Sequence, residues 1–239
     1  MVKRAFALAL RFLRREKRHT QESLSLKCDI DLSYYQGLES GSSAASLATL
    51  FKLGEGLQVS PASLAASTEV YIRALVDPTS DTSPTPEPDK TVNLAPCSIS
   101  VAIPDPRRIS QAMGMLIRTL RADTRDRQDH LATRGRVSRD YLSHIECGRG
   151  NPTLIILRRL GEALWVDAQA LIQGVEVLVN SKLCQSALET WLHTELGWTF
   201  VINGFEHGQV FALDAQRALQ AALARCRHPD AAAMHVRKT

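Results

Sequence analysis

Apolar residues recur along the chain with helical spacing, and the same arrangement of apolar and polar positions occurs twice, 107 residues apart. The segment from Phe6 to Leu64 can be laid on the segment from Met113 to Leu171 without a gap. A repeat of ~60 residues is a whole small domain rather than one turn of a solenoid. The identical positions include Gln21/Gln128, Leu24/Leu131, Tyr34/Tyr141, Glu39/Glu146, Gly41/Gly148, Leu50/Leu157, Leu53/Leu160, Gly54/Gly161, Glu55/Glu162, Leu57/Leu164 and Val59/Val166.

The second copy predicts five helices from its apolar spacing and its capping residues. Its second helix is expected to begin near Gln128, and Ser138 is a good N-cap for the third. Gly148 can adopt positive φ and end that third helix. Asn151-Pro152 predicts the start of the fourth helix, because a proline in the first turn loses no hydrogen bond. A short fifth helix is expected around Asp167–Ile172.

Two strings carry a resemblance to a known family. They are QDHLATRGRVSRDYLSHIECGRGNPTLIILRRLGEALWV in the second copy and TQESLSLKCDIDLSYYQGLESG in the first. Both resemble the Cro/lambda-repressor-like (XRE-type) helix-turn-helix family, and together the two copies cover roughly half of the chain. The resemblance implies a five-helix domain whose third helix lies in the major groove of DNA. It also implies that Gln21 and Gln128 lie at the DNA and that the loop after helix 3 touches phosphate.

The predicted fold is mainly α, with two five-helix lambda-repressor-like DNA-binding domains, a Pro/Ser-rich linker and a small C-terminal α(+β) tail. The first helix-turn-helix domain is expected at 1–72, a linker at 73–108, the second domain at 109–173 and the tail at 174–239. Residues 76–91 are rich in proline, serine, threonine and acid, which is typical of an extended linker. Alternating apolar residues predict a possible short strand in 91–103.

The tail predicts a helix followed by a hairpin-like region. Ser181–Leu196 has an amphipathic helical pattern, and Trp198–Ile202 and Gln209–Leu213 are expected as strands. A last helix is expected from Asp214 to about Arg227, and the final ten residues are expected to be loose.

Positive charge is concentrated on the two copies. Residues 1–75 carry ten basic and seven acidic side chains, and residues 105–172 carry twelve and eight. Residues 76–104 carry one and four, and the tail is neutral with six of each. Every basic residue between 105 and 172 is arginine, which suits contacts with phosphate and guanine. Arg118, Arg121 and Arg125 are expected on the outer side of the first helix of the second copy.

The candidate DNA contacts lie around the third helix of each copy, where side chains can donate to phosphates or base edges. In the second copy they are Gln128, Ser138, Arg139, Asp140, Tyr141, Ser143, His144, Arg149 and Asn151. In the first copy they are Gln21, Leu32, Ser33, Tyr34 and Gln36.

Both copies depart from the family pattern, and in the first copy Ala44-Ala45 replaces the Asn-Pro of the second. The third helix of the first copy, Asp31–Leu38, contains no lysine or arginine, and Gly37 weakens it by about 1 kcal/mol relative to alanine. In the second copy, Gly135 stands where the family has a buried aliphatic residue, and Arg136 where it has the turn glycine. The turn before the third helix is therefore open to a shift of one residue.

The first hypothesis is a sequence-specific DNA-binding transcriptional regulator, most simply a repressor, that reads two half-sites on double-stranded DNA. An antitoxin-like or phage-related regulator, or a protein-interaction module, is the alternative, with the tail at 174–239 binding a protein partner or a second copy. The sequence contains no nucleophile–base set, no glycine-rich phosphate loop and no metal-ligand spacing, so we expect no enzyme, no cofactor and no metal. The scattered cysteines and the lack of a long apolar stretch predict a cytoplasmic protein without a membrane segment.

Overall fold

The computed structural model describes residues 1–76, 104–202, 205–211, 218 and 234–238. Two compact units are present: Met1–Asp105 with Asn151–Ile155, and Pro106–Gly150 with Ile156–Thr239. The described chain is mainly helical, as predicted. The strand expected within 91–103 lies outside the described residues, and so does the helix expected over 214–227 apart from residue 218. Within the described ranges, no helix combines the length and the apolar character needed to cross a membrane.

Residues 1–76 of the first unit form five helices, and side chains cap four of them. Thr20, Asp31, Ser46 and Ser60 each accept a hydrogen bond from the backbone N–H three residues further on, at 3.0–3.2 Å. Such caps satisfy N–H groups that the helix itself leaves without a partner. The helices are α1 (Val2–Glu16), α2 (Gln21–Lys27), α3 (Leu32–Ser40), α4 (Leu47–Leu57) and α5 (Pro61–Val76).

The second unit repeats this order and adds the tail. Ser138 caps α8 and Asp167 caps α10, through hydrogen bonds from Tyr141 N–H at 3.2 Å and Ala170 N–H at 2.7 Å. The helices are α6 (Pro106–Asp123), α7 (Gln128–Arg134), α8 (Arg139–Glu146), α9 (Leu154–Ala163), α10 (Ala168–Asn180) and α11 (Gln185–Trp191). A π-helical turn, Leu192–Leu196, continues α11.

Several helix boundaries differ from the prediction. The fourth helix of the second copy begins at Leu154 rather than at Asn151-Pro152. The helix expected over Asp167–Ile172 continues to Asn180, and α6 already begins at Pro106. The tail helix does not begin at Ser181, because Lys182 (φ +56°) and Leu183 (φ +65°) are both left-handed and separate α10 from α11.

The tail forms a three-stranded antiparallel sheet in the order β2-β1-β3, with β1 at Gly197–Ile202 and β2 at Phe205–Phe211. The first predicted strand, Trp198–Ile202, agrees with β1 to within one residue. The second, predicted over Gln209–Leu213, overlaps β2, which begins four residues earlier, and residues 212–213 lie outside the described residues. The prediction that the last ten residues are loose was wrong, because β3 (Met234–Lys238) pairs with β1. Its partner lies more than thirty residues earlier in the chain, so no local pattern indicates the pairing.

Both units turn the chain in the same way. Each described residue with positive φ in the first unit, three non-glycine residues and one glycine, has a counterpart with positive φ 107 residues later in the second unit. These pairs are Arg18/Arg125 (+57°/+52°), Asp29/Arg136 (+49°/+51°), Gln58/Trp165 (+57°/+64°) and Gly41/Gly148 (+77°/+70°). The left-handed position of the turn before α8 thus falls on Arg136, while its neighbour Gly135 is right-handed (φ −74°).

At one pair of corresponding positions, the small and the large residue are reversed between the two cores. A Cβ on Gly56 would lie 2.1 Å from the Sγ atom of buried Cys28. The corresponding residues of the second unit are Ala163 and Gly135, so there the glycine is on the other side of the pair. Each core keeps the space that one small residue leaves for the other, as close packing requires.

This contact yields a double-mutant test. Gly56→Ala is expected to lower the free energy of unfolding by about 1–3 kcal/mol, because the new methyl group overlaps the thiol of Cys28. Adding Cys28→Gly reproduces the pair found in the second unit and should restore part of the loss. Urea unfolding of the full chain measures all three variants. Purely additive losses would show that the two positions are not coupled.

Candidate nucleic-acid interface

A buried carboxylate joins three helices of the first unit. Glu39, near the end of α3, accepts hydrogen bonds from Arg14 Nε at 2.6 Å and from Arg14 Nη2 at 3.1 Å. Gln21, the first residue of α2, donates from Nε2 at 2.6 Å, and the hydroxyl of Tyr35 donates at 2.8 Å. Arg14 Nη1 also donates to the carbonyl of His19 at 3.0 Å, which holds the turn before α2.

The second unit contains the same network. Arg121 Nε and Nη2 donate to the two carboxylate oxygens of Glu146 at 2.6 and 2.9 Å. Gln128 Nε2 donates to Glu146 at 2.7 Å, and Arg121 Nη1 donates to the carbonyl of Asp126 at 3.0 Å. Each of these residues lies 107 positions after its counterpart in the first unit. We call the residues Arg14, Gln21 and Glu39, or Arg121, Gln128 and Glu146, the Arg–Gln–Glu network.

Both carboxylates stay ionised although they are buried. The side chains of Glu39 and Glu146 are 2% and 3% exposed, and burial alone would raise the pKa of each. The hydrogen bonds from arginine and glutamine outweigh burial, and the pKa of both carboxyl groups is lowered. The bidentate arginine supplies charge-assisted hydrogen bonds with fixed geometry. The network therefore fixes the end of the third helix relative to the first helix and to the start of the second.

The network corrects one prediction and refines another. Arg121 was expected on the outer side of its helix, but it is 19% exposed and pairs with Glu146. Gln21 and Gln128 were expected at the DNA. Both are half-buried, and each uses one amide hydrogen for the buried carboxylate. For the amide oxygen of Gln128, no donor is present among the residues that the structure describes.

The outer face of α8 is polar. Arg139, Asp140 and His144 are exposed, whereas Tyr141 and Ser143 are half-buried. Burial raises the pKa of the Tyr141 phenol. On the opposite side, the fully buried Leu142 and Ile145 hold α8 against the core of its unit. Asn151 is exposed and lies three residues before α9.

Four exposed arginines lie before, within or after α8 in the sequence, and their guanidinium groups have no hydrogen-bond or ion-pair partner in the described part of the chain. Other arginines of this unit are paired: Arg134 lies 2.6 Å from Asp126, and Arg127 lies 3.4 Å from Asp129. The four arginines are Arg125, Arg136, Arg139 and Arg149. Their charges are available to a polyanion.

The face of α3 has different chemistry. Ser33 Oγ donates to its neighbour Asp31, and the Tyr34 hydroxyl donates to the carbonyl of Ala44 at 3.1 Å. Leu32 is half-buried, and Gln36 is exposed. Together with Gln21, which donates to Glu39, four of the five predicted contact residues of the first copy are thus engaged within their own unit or partly covered. None of the five carries a positive charge.

Gly37 of α3 allows a serine-rich loop to approach closely. Its carbonyl accepts hydrogen bonds from Ser40 Oγ and Ser42 Oγ at 3.1 Å and from Ser43 N–H at 3.0 Å. A Cβ on Gly37 would lie 2.6 Å from Ser43 Oγ. The glycine that weakens α3 intrinsically is therefore compensated by the loop that packs on it.

The sequence prediction overlooked the role of Arg14, Glu39, Arg121 and Glu146, which fix the candidate recognition helices relative to their neighbours. A signal was present, since both charged residues are identical in the two copies. Charged residues are mostly exposed in proteins, so the pattern alone favoured an outer position for the arginine. Across the described ranges, no group of three histidine, cysteine, aspartate or glutamate residues is arranged to hold a metal ion.

Comparison with known proteins identifies a helix-turn-helix segment in the first unit. Residues 10–64 match the Helix-turn-helix family. The matched helix-turn-helix segment runs from within α1 into α5, and it contains the Arg–Gln–Glu network of the first unit. Residues 113–171 lie outside the match. No curated protein and no solved structure matches the chain. The helix-turn-helix match suggests a DNA-binding transcriptional regulator.

Removing one partner of the network should be costly. Glu146→Gln leaves the Arg121 guanidinium largely buried without its counter-charge, and the free energy of unfolding should fall by about 3 kcal/mol. Glu162→Gln is the matched control, because its ion pair with Arg158 is exposed and should contribute under about 0.5 kcal/mol. Urea unfolding of the full chain measures both. Equal small losses would show that the network does not hold the fold.

The same carboxylates predict acid sensitivity. The folded pKa of Glu39 and Glu146 lies below the ordinary value of 4.5, so their contribution to stability is present above that value. It is lost as the pH falls through the lowered folded pKa. We expect the urea midpoint to drop between about pH 5 and about pH 3. Glu146→Gln should flatten part of this dependence, and an unchanged pH profile in the variant would contradict the assignment.

Proposed function

We propose that the chain is a sequence-specific transcriptional regulator, most simply a repressor, with two helix-turn-helix domains. Residues 1–72 and 109–173 supply the two domains, and α3 and α8 are their recognition helices. The observation that carries the proposal is the Arg–Gln–Glu network. It recurs in the second unit with the same atoms at nearly the same distances as in the segment that matches the family.

The network favours DNA recognition because it fixes what such recognition needs. A recognition helix enters the major groove while the preceding helix lies across the backbone, so their relative position must be rigid. Glu146 ties the end of α8 to the start of α7 through Gln128 and to α6 through Arg121. All three elements are therefore held before any DNA binds, which lowers the ordering cost of binding.

The arginines favour α8 as the principal reader. Arg139 lies in the first turn of α8, is exposed and has no partner within the described ranges, so its guanidinium can bind guanine or phosphate. Arg149, in the loop after α8, suits a phosphate contact that sets register. The proposed contact set of the second domain is Gln128, Ser138, Arg139, Asp140, Tyr141, Ser143, His144, Arg149 and Asn151. That of the first domain is Gln21, Leu32, Ser33, Tyr34 and Gln36.

Two linked modules suit a site with two half-sites. Linking raises the effective concentration of the second module once the first has bound, so two weak readers can bind tightly together. The faces of α3 and α8 carry different side chains, so the two half-sites should differ in sequence. Repression is the simplest role, because occupancy of a promoter excludes other proteins without any further activity.

Selection of bound fragments from a random DNA pool by the full chain tests this proposal. Two distinct motifs, their centres about 10 base pairs or a multiple apart, are expected. If no sequence is enriched at low ionic strength, the proposed function is wrong. If only one motif is enriched, the proposal of a second half-site is wrong.

Arg139→Ala should weaken binding to the selected site by about 1–3 kcal/mol and relax the preference at one position. Arg159→Ala, an exposed arginine of α9, is the control and should retain wild-type affinity. Titration by fluorescence anisotropy measures both variants on the selected site and on a scrambled one. Wild-type affinity and sequence preference in Arg139→Ala would show that α8 does not read bases through this residue.

A further inference from the structure

The turn between α7 and α8 contains an arginine in an unfavourable conformation. Arg136 has φ +51°, in the left-handed region, where a Cβ comes too close to the following carbonyl. Glycine, asparagine and aspartate tolerate this region better than arginine does. Strain of this kind persists where the surrounding structure imposes it, and such positions cluster at functional sites.

The surroundings impose this conformation firmly. Gly135 N–H donates to the Leu131 carbonyl at 2.8 Å, and Val137 N–H donates to the Ala132 carbonyl at 3.0 Å. Arg136 N–H itself donates to Thr133 at 3.2 Å. The backbone on both sides of Arg136 is therefore held by α7, so the direction in which its Cα–Cβ bond leaves the turn is set before a ligand arrives.

The equivalent residue of the first unit, Asp29, has a structural role at this position. Asp29 has φ +49° and is a residue type that tolerates it. Its carboxylate lies 2.9 Å from Lys52 Nζ, and its carbonyl accepts a hydrogen bond from the same Nζ at 2.8 Å. Arg136 has no comparable contact: its exposed guanidinium is without a partner in the part of the chain that the structure describes.

We propose that Arg136 is a further DNA-contacting residue that binds a backbone phosphate beside the groove that α8 enters. The inference rests on the proposed function. Arg136 stands two residues before the cap Ser138 and three before Arg139, so its Cα lies within about 7 Å of the Cα of Ser138, beside the start of α8. Phosphates flank the major groove on both sides, and a guanidinium binds them through paired N–H donors.

The proposal also gives the two domains unequal roles. At one position of the same backbone, the second domain carries an unpaired cation and the first carries an anion bound to its own lysine. The domains therefore differ in attraction for phosphate at this turn, and the second should supply more of the salt-dependent affinity.

Arg136→Gly separates function from fold, because it removes both the strain and the charge. We expect the melting temperature to rise by about 2–5 °C, since glycine adopts positive φ freely. Affinity for DNA should fall by about 3–10-fold, equally on selected and scrambled sequences, and the slope of log K against log salt should decrease by about one. Arg136→Lys keeps the charge and should keep the slope.

Gln58→Gly is the matched control, because Gln58 has φ +57° and is exposed but uncharged. It should stabilise the chain without changing the salt slope. Arg136→Gln keeps the Cβ and the strain but removes the charge, and it gives the same binding readout if the glycine variant folds poorly. Wild-type affinity and slope in both uncharged variants would overturn the role of Arg136 and leave the proposed function intact. Failure of the wild-type chain itself to bind DNA would overturn both.

Discussion

One buried ion pair in each unit determines where the candidate recognition helix lies. A carboxylate that is 2–3% exposed is stable only when its oxygens are fully engaged, and here arginine and glutamine engage them from two other helices. Removing the arginine or the glutamate would leave a buried charge unpaired, and removing the glutamine would take one donor from the buried carboxylate. The three helices are therefore constrained together. The hydrophobic core supplies most of the stability, while the network supplies the register that a DNA-reading surface needs.

The two units keep this interior and differ at the surface. The Arg–Gln–Glu network, the caps at Asp31 and Ser138 and four left-handed positions recur at the same offset. The faces of the third helices do not: Leu32 stands where the second unit has Arg139, and Gly37 stands where it has His144. The two units can therefore share one fold and still carry different side chains on the exposed face of the third helix, since surface substitutions seldom change stability much.

Local sequence signals predicted most of the helices, but they failed where contacts between distant parts of the chain determine the structure. Ser138 as a cap and Gly148 as a helix end follow from backbone hydrogen bonding within a few residues, and both are present. The inward position of Arg121 depends on Glu146, and β3 depends on β1, so neither is visible in a local pattern. To predict the arrangement of the site, one must know which buried residue pairs with which, and helical periodicity alone does not give this information.

The left-handed residues show which part of the sequence sets the turns. Arginine occupies that conformation at both Arg18 and Arg125, whereas Gln58 corresponds to Trp165 and Asp29 to Arg136. Residues as different as aspartate and arginine adopt the same φ, so the turn conformation cannot come from their own preferences. It comes from the helix ends on either side, whose backbone hydrogen bonds recur in both units. Because the neighbouring helices fix the conformation of the turn, the side chain at its left-handed position is available for binding a ligand. An arginine at that position lowers the stability of the fold, and within the described ranges no structural contact of the Arg136 side chain offsets this loss.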